Sequence, residues 1–389
     1  MSPVLPFDIF ALIIDIVGEN KDTKLLKELA LVSHSLHKIC IKHLFANVDL
    51  HTYSKKAFVK LVKSRPNIVN YIRKLTYKVT GKKNGDDHLL SPILSNFHPT
   101  ISRLNYLAIN ASYLAWNTLD SSLTSTFRHL ISLPTINHID LSNIQNFPLS
   151  NLTSSVNLLW LDMSQLSRFD YPGEDEFFKT LQSENVMLHK IREFHSSNSN
   201  MLTMKLLFVK RQDRRPAFKF KDLRQLSMSL VHYKGQENIR CLLQDAKLLE
   251  KFHLSVDSGQ SLVGVLSAGV RTLKVLDLTV HLYQYRVPPL AGLCEELEAM
   301  AGHSTLEVLS FEVLLDSYHR EDSVGSAIRE VENVLIKPGW SALRQVSIKL
   351  VIRLWGECAD FTEALQSLPD KYLSHLPKLV AFNYSAYAV

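Results

Sequence analysis

An L-x-x-L-x-L pattern recurs eleven times along this chain and constrains its fold more than any other feature. It opens at Ile72, Leu104, Ile136, Leu158, Ile191, Leu223, Leu249, Leu273, Leu306, Leu343 and Leu379. A full triad reads, for example, Ile136, Ile139 and Leu141. First positions stand 22 to 37 residues apart, which leaves room in each repeat for one strand and one helix. Such a repeat cannot bury its apolar face alone, so it stacks on its neighbours, and strand followed by helix gives a parallel sheet. The expected class is α/β, with a curved parallel sheet and helices on its outside. The long intervals near 169–185, 283–301 and 318–340 should hold longer helices or loops.

Side chains alternate along a strand, so the third, fifth and seventh positions of each repeat turn away from the core. The fifth and seventh are mostly small and polar, as in Asp140 and Ser142 or His253 and Ser255. Third positions in three successive repeats are larger: Tyr106, His138 and Trp160. Exposed aromatic rings framed by Asp and Ser have the composition of a binding hot spot. Tyr106, His138, Trp160, His195 and His253 are therefore the candidate target-binding residues.

The repeat resembles the leucine-rich repeat, whose strand carries the same signature. One departure is systematic: the ninth position, where that family has Asn, holds Thr80, Ser112, Ile144, Leu166, Ser199, Val231 and other residues instead. No asparagine ladder can form. The resemblance therefore implies an irregular, leucine-rich-repeat-like solenoid over residues 51–389.

Residues 5–45 read differently, as three short helices. Pro6 suits a first helical position, and Ile9, Leu12, Ile13, Ile16 and Val17 follow at helical spacing, with Gly18 as the stop. Asp22 caps a second helix carrying Leu25, Leu26, Leu29 and Ala30, and Ser33 caps a third carrying Leu36, Ile39, Cys40 and Leu44. About 40 residues in three amphipathic helices are marginal alone and call for a partner or a following domain.

The runs Leu5-Pro6-Phe7-Asp8-Ile9, Ile13-Ile14 and Leu29-Ala30-Leu31-Val32-Ser33 with Leu36 resemble the F-box, in the fungal-type form where a short strand follows at once. That resemblance implies a head, residues 1–50, which docks on a Skp-family adaptor and through it a cullin. Leu5, Pro6, Ile9, Ile13, Leu29, Val32 and Leu36 match the pattern's apolar positions. Asp8 stands where Glu is usual, and no Trp follows Leu36.

Charge is uneven. Between His51 and Lys83 lie ten basic residues and no acid, whereas Glu295 to Glu332 holds ten acids against two arginines. Fields of this kind steer charged partners or simply solvate a face. The four cysteines are far apart, which argues against a disulfide framework or a zinc ribbon. His34, His37, Cys40 and His43 recur every three residues, but that spacing fans them around a helix and does not converge on a metal. The carboxylates Asp170, Glu174, Asp175 and Glu176 read as a solvated helix entry. The basic stretch Lys210 to Lys221 interleaves Phe208, Phe218 and Phe220, which read as anchors of the next repeat in preference to a nucleic-acid surface. No phosphate loop, nucleophile elbow or His-Glu-x-x-His is present.

The expected protein is not an enzyme and takes no cofactor. It recruits a target protein to an SCF-type ubiquitin ligase, or, alternatively, acts as an F-box and repeat scaffold outside ubiquitination. Neither membrane nor nucleic acid is an expected partner. Without a membrane span or secretory signal in the sequence, the expected location is cytoplasm, nucleus or both.

Overall fold

The computed structural model describes residues 7–79, 87–166, 189–208, 216–230, 234–257, 260–267, 271–282, 292–302, 305–316, 321–353, 363, 365–373, 375–376 and 380–388. Its described residues form a mixed α/β protein with a twelve-stranded parallel sheet. The chain divides into two compact units, Met1–His189 and Lys190–Val389.

The first unit begins with three helices, α1 (Phe7–Glu19), α2 (Thr23–Val32) and α3 (His34–Leu44). Both expected caps form: the Asp22 carboxylate accepts the Leu25 N–H at 3.0 Å, and the Ser33 hydroxyl oxygen accepts that of Leu36 at 3.2 Å. Gly18 does not end α1, which runs on to Glu19 before Lys21 takes a left-handed φ of 57°. The glycine serves packing instead, since a Cβ there would sit 2.2 Å from the His43 ring. His43 Nε2 meets the Asp15 carboxylate at 2.7 Å, which ties α3 to α1. The head's core is small: Ile14, Leu26, Leu36 and Cys40, with Leu29 and Ile39 packed against it. Burial raises the pKa of the Cys40 thiol.

The chain passes from α3 straight into β1 (Asn47–Leu50), which pairs with β2 (Lys74–Lys78). Residue 50 therefore closes a strand of the sheet. Strands β3 (Tyr106–Ala115), β4 (His138–Gln145) and β5 (Trp160–Ser164) follow in chain order. Leu75 pairs with Leu107, Leu107 with Ile139 and Ile139 with Leu161, so each repeat meets the next at the same position. Two short strands, His189–Lys190 (β6) and Phe218–Lys219 (β8), form a separate two-stranded sheet. The main ladder of the second unit is β7 (Glu193–Ser197), β9 (Gln225–Leu230), β10 (Lys251–Val256), β11 (Val275–Leu282), β12 (Val308–Asp316), β13 (Gln345–Arg353) and β14 (Ala381–Ala388). There Phe194, Leu226, Phe252, Leu276, Leu309, Val346 and Phe382 align across successive strands.

The first, fourth and sixth positions of the first ten repeats are all buried. Each full burial of a large aliphatic contributes about 1.5–3 kcal/mol before entropy is counted. Leu379, which opens the eleventh repeat, lies outside the described residues.

Helices fill the intervals where the chain is long enough. Ser54–Ser64, Asp87–Leu94 and Ser121–Ser132 follow β1, β2 and β3, while Leu293–Met300 and Glu321–Leu335 occupy the two long intervals of the second unit. The shortest repeats depart from one strand and one helix: β4 is followed only by a 3₁₀ turn at Leu149–Ser154, and the described residues between β10 and β11 hold turns alone. An interval of 22 or 24 residues, measured between first positions, has no room for a full helix and its loops.

Candidate functional site

The head presents the first candidate surface. Ile9 and Ile13 of α1 and Val32 of α2 are exposed, joined by Leu12, Ile16 and Leu31, the last at 88%. Isolated exposed apolar residues are ordinary, but a cluster on one small helical unit marks a contact face. Leu29 is half-buried against the head's own core and Leu36 lies inside it, so these two support the helices that carry the face. Leu5 and Pro6 lie outside the described residues. Leu12 and Leu31 are exposed as well. Their apolar character was legible in the sequence, whereas their exposure depends on how the three helices pack.

The second surface is the outward side of the strands in the first unit. Tyr106, His138 and Trp160 stand side by side on β3, β4 and β5, half-buried on the face opposite the core. Their rings meet edge to face, with centroids 4.5 Å apart for Tyr106 and His138 and 5.4 Å for His138 and Trp160. The Tyr106 hydroxyl donates to Asp140 at 3.1 Å, and His138 Nε2 lies 2.7 Å from an Asp162 carboxylate oxygen. Desolvation first, then the Asp140 charge, raises the phenol pKa of Tyr106. Lys74 Nζ lies 5.5 Å from the Tyr106 ring centroid, closing the ladder on the β2 side with a cation–π contact.

A third surface lies on the outward side of the second unit. His195, Ser227 and His253 occupy paired positions on β7, β9 and β10. Strands are spaced about 4.8 Å apart, so the two histidines flank a serine that fills little of the gap between them. The result is an open cavity of about 450 Å³, floored by Ser227, Ser229 and Ser255 and extended to Asp257 and His281. The Ser229 hydroxyl oxygen accepts the Asn198 N–H at 2.8 Å, and Ser255 Oγ lies 3.2 Å from His281 Nε2. Desolvation, with the nearby His195 charge, lowers the pKa of His253, while Asp277 and Glu312 act in the opposite direction.

The charge runs resolve into parts with different fates. On the helix Ser54–Ser64, Lys56, Lys60 and Lys63 are exposed at successive helical turns. Lys55 is buried instead, paired with Asp87 and 4.6 Å from the Tyr77 ring centroid, while the Tyr77 hydroxyl donates to Asp87 at 2.7 Å. The acidic run is partly structural. Glu296 and Glu332 are buried and accept backbone N–H groups, and Glu298 and Glu312 pair with Lys337 and Lys349. Phe218 and Phe220 are buried, as anchors of a repeat would be; Lys210, Arg211, Arg214, Arg215 and the carboxylates of 170–176 lie outside the described residues.

Among the described residues no group of His, Cys, Asp or Glu is placed to hold a metal ion, and no helix is long and apolar enough to cross a membrane. No protein-family model matches the chain, and no curated protein matches its sequence.

Proposed function

We propose that this chain is the substrate-recruiting subunit of an SCF-type cullin ubiquitin ligase. Residues 1–50 act as an F-box that docks on a Skp-family adaptor, and residues 51–389 form an irregular leucine-rich-repeat-like solenoid whose outward strand face holds a target protein. The mechanism is proximity: the chain supplies no reacting group and raises the effective concentration of target lysines near an enzyme bound elsewhere in the complex.

The observation that carries this reading is the split within the head. Ile14, Leu26, Leu36 and Cys40 hold its helices together, while Ile9, Ile13 and Val32, which match the F-box pattern, face outward. Half-exposed aliphatic side chains gain roughly half of the ~1.5–3 kcal/mol of full burial, so six of them supply several kcal/mol against the cost of association. The test uses the full chain with purified Skp-family adaptor and cullin. Ile9→Asp with Ile13→Asp should weaken adaptor capture at least tenfold and leave the melting temperature unchanged. Undiminished capture would end the F-box reading.

The departures at Asp8 and after Leu36 favour a second reading, in which the head pairs with a partner unrelated to ubiquitin and the protein is a scaffold. Only the first reading expects a cullin in the same complex.

A further inference from the structure

The slot between His195 and His253 differs from the aromatic ladder in chemistry. Among the described residues its lining contains serine hydroxyls, imidazoles, Asn198, Met228 and one carboxylate, Asp257, and neither Lys nor Arg. A second carboxylate, Asp277, pairs across the ladder with His253 on the neighbouring strand. We propose that this slot receives a cationic side chain of the target, the guanidinium of an arginine or the ammonium of a lysine. The proposal rests on the reading of the outward strand face as the target-recruiting surface and names what a target must present there.

Three observations carry it. First, the space exists because a serine stands between two histidines in register, so the floor is small and the walls are rings. Second, the hydroxyl oxygens, the Asp257 carboxylate and the unprotonated nitrogen of a neutral imidazole all supply acceptors. Guanidinium and ammonium groups are donors only, which matches that supply. Third, the described lining carries a negative charge and neither lysine nor arginine, so an anion would enter against Asp257, with Asp277 beside the slot.

The titratable groups around His253 are His195, His281, Asp257 and Asp277, with Lys251 on its own strand and Glu312 farther along the face, paired with Lys349. Burial favours its neutral form, so it offers an acceptor at pH 7.5. Acidification protonates this imidazole, which removes an acceptor and repels a cation, so binding should weaken as pH falls.

The experiment titrates the full-length protein, carrying ¹³C-labelled histidine, with N-acetyl-argininamide, N-acetyl-lysinamide and inorganic phosphate, and follows the imidazole signals of His195 and His253. Saturable shifts with at least one cation are expected at pH 7.5, with at least threefold weaker binding at pH 5.5. The stronger of the two cations identifies guanidinium or ammonium as the group received. Ser227→Tyr, at an outward half-buried position, should fill the slot and abolish the response without lowering the melting temperature, and Asp257→Asn should weaken it at least threefold. No response to either cation, an undiminished response in Ser227→Tyr, or phosphate binding that strengthens on acidification would overturn the proposal. Adaptor capture by the same samples reports on the head alone. Lost capture with cation binding intact counts against the recruiting role and leaves the slot standing, and the reverse result counts against the slot only.

Discussion

His138 on β4 reaches forward to Asp162 on β5, with its Nε2 2.7 Å from the carboxylate. The same diagonal joins Tyr106 on β3 to Asp140 on β4, from a third position to the fifth position of the next repeat. These contacts fix the tilt of two rings in the ladder, and each ring then packs edge to face on the next. A surface whose aromatics are already held loses little rotamer entropy when a partner covers it.

Tyr106→Ala with Trp160→Ala should therefore leave a folded, soluble protein that still captures the adaptor and no longer captures a target. Both rings are half-buried, so the stability lost should fall below the ~3–5 kcal/mol of a truncated core aromatic. A melt, an adaptor pull-down and partner recovery on one sample check this. Loss of all three would mean that the ladder supports the fold instead of a partner.

Leu276 is fully buried on β11, and Asp277 beside it points outward. Leu276→Asp places an uncompensated charge in the core of the second unit and should destabilise it by several kcal/mol. Asp277→Ala should stay within about 0.5 kcal/mol of the parent. Denaturant midpoints of the two variants give the comparison.

Glu296 accepts the backbone N–H groups of Gly264, Leu266 and Ser267, the last two at 2.6 and 2.7 Å. One buried carboxylate thus satisfies a turn that carries no helix of its own. Glu296→Ala leaves the buried Leu266 N–H and two part-buried ones without this acceptor and should cost about 2 kcal/mol. Amide exchange across 264–267 should accelerate in the variant, and unchanged protection there would refute the clamp.

Cys294 lies half-buried among Glu330, Glu295 and Glu298, and burial first, then these charges, push its thiol up to about 11. The folded state therefore holds this proton more tightly than the unfolded chain does. Its contribution to stability is complete below the ordinary thiol value of 9.0 and is lost as pH rises from there to about 11. Alkylation of Cys294 in the folded protein should stay slow at pH 8 and accelerate near pH 11. An ordinary rate at pH 8 would contradict the environment described. His253 has the opposite sign: its depressed pKa adds stability above the ordinary imidazole value of 6.5 that is lost on acidification.

The strand register and the head's two helix caps were legible in the sequence. Apolar spacing at positions one, four and six can satisfy only one side of a strand, and Asp22 and Ser33 each sit one residue before a helical stripe. These are local constraints, set by neighbours along the chain. The fates of individual charges were not legible, because Lys55 meets Asp87 across 32 residues and Glu296 meets Leu266 across 30. Nor was the slot, which needs His195, Ser227 and His253 from three repeats of unequal length to arrive in register. The sequence by itself determined which side of each strand is buried and where α2 and α3 begin. Stacking of the repeats decided which polar side chains face one another, because contacts between strands depend on the loops and helices that return the chain to the sheet. In the head, packing of three helices around a four-residue core decided which apolar side chains remain outside it.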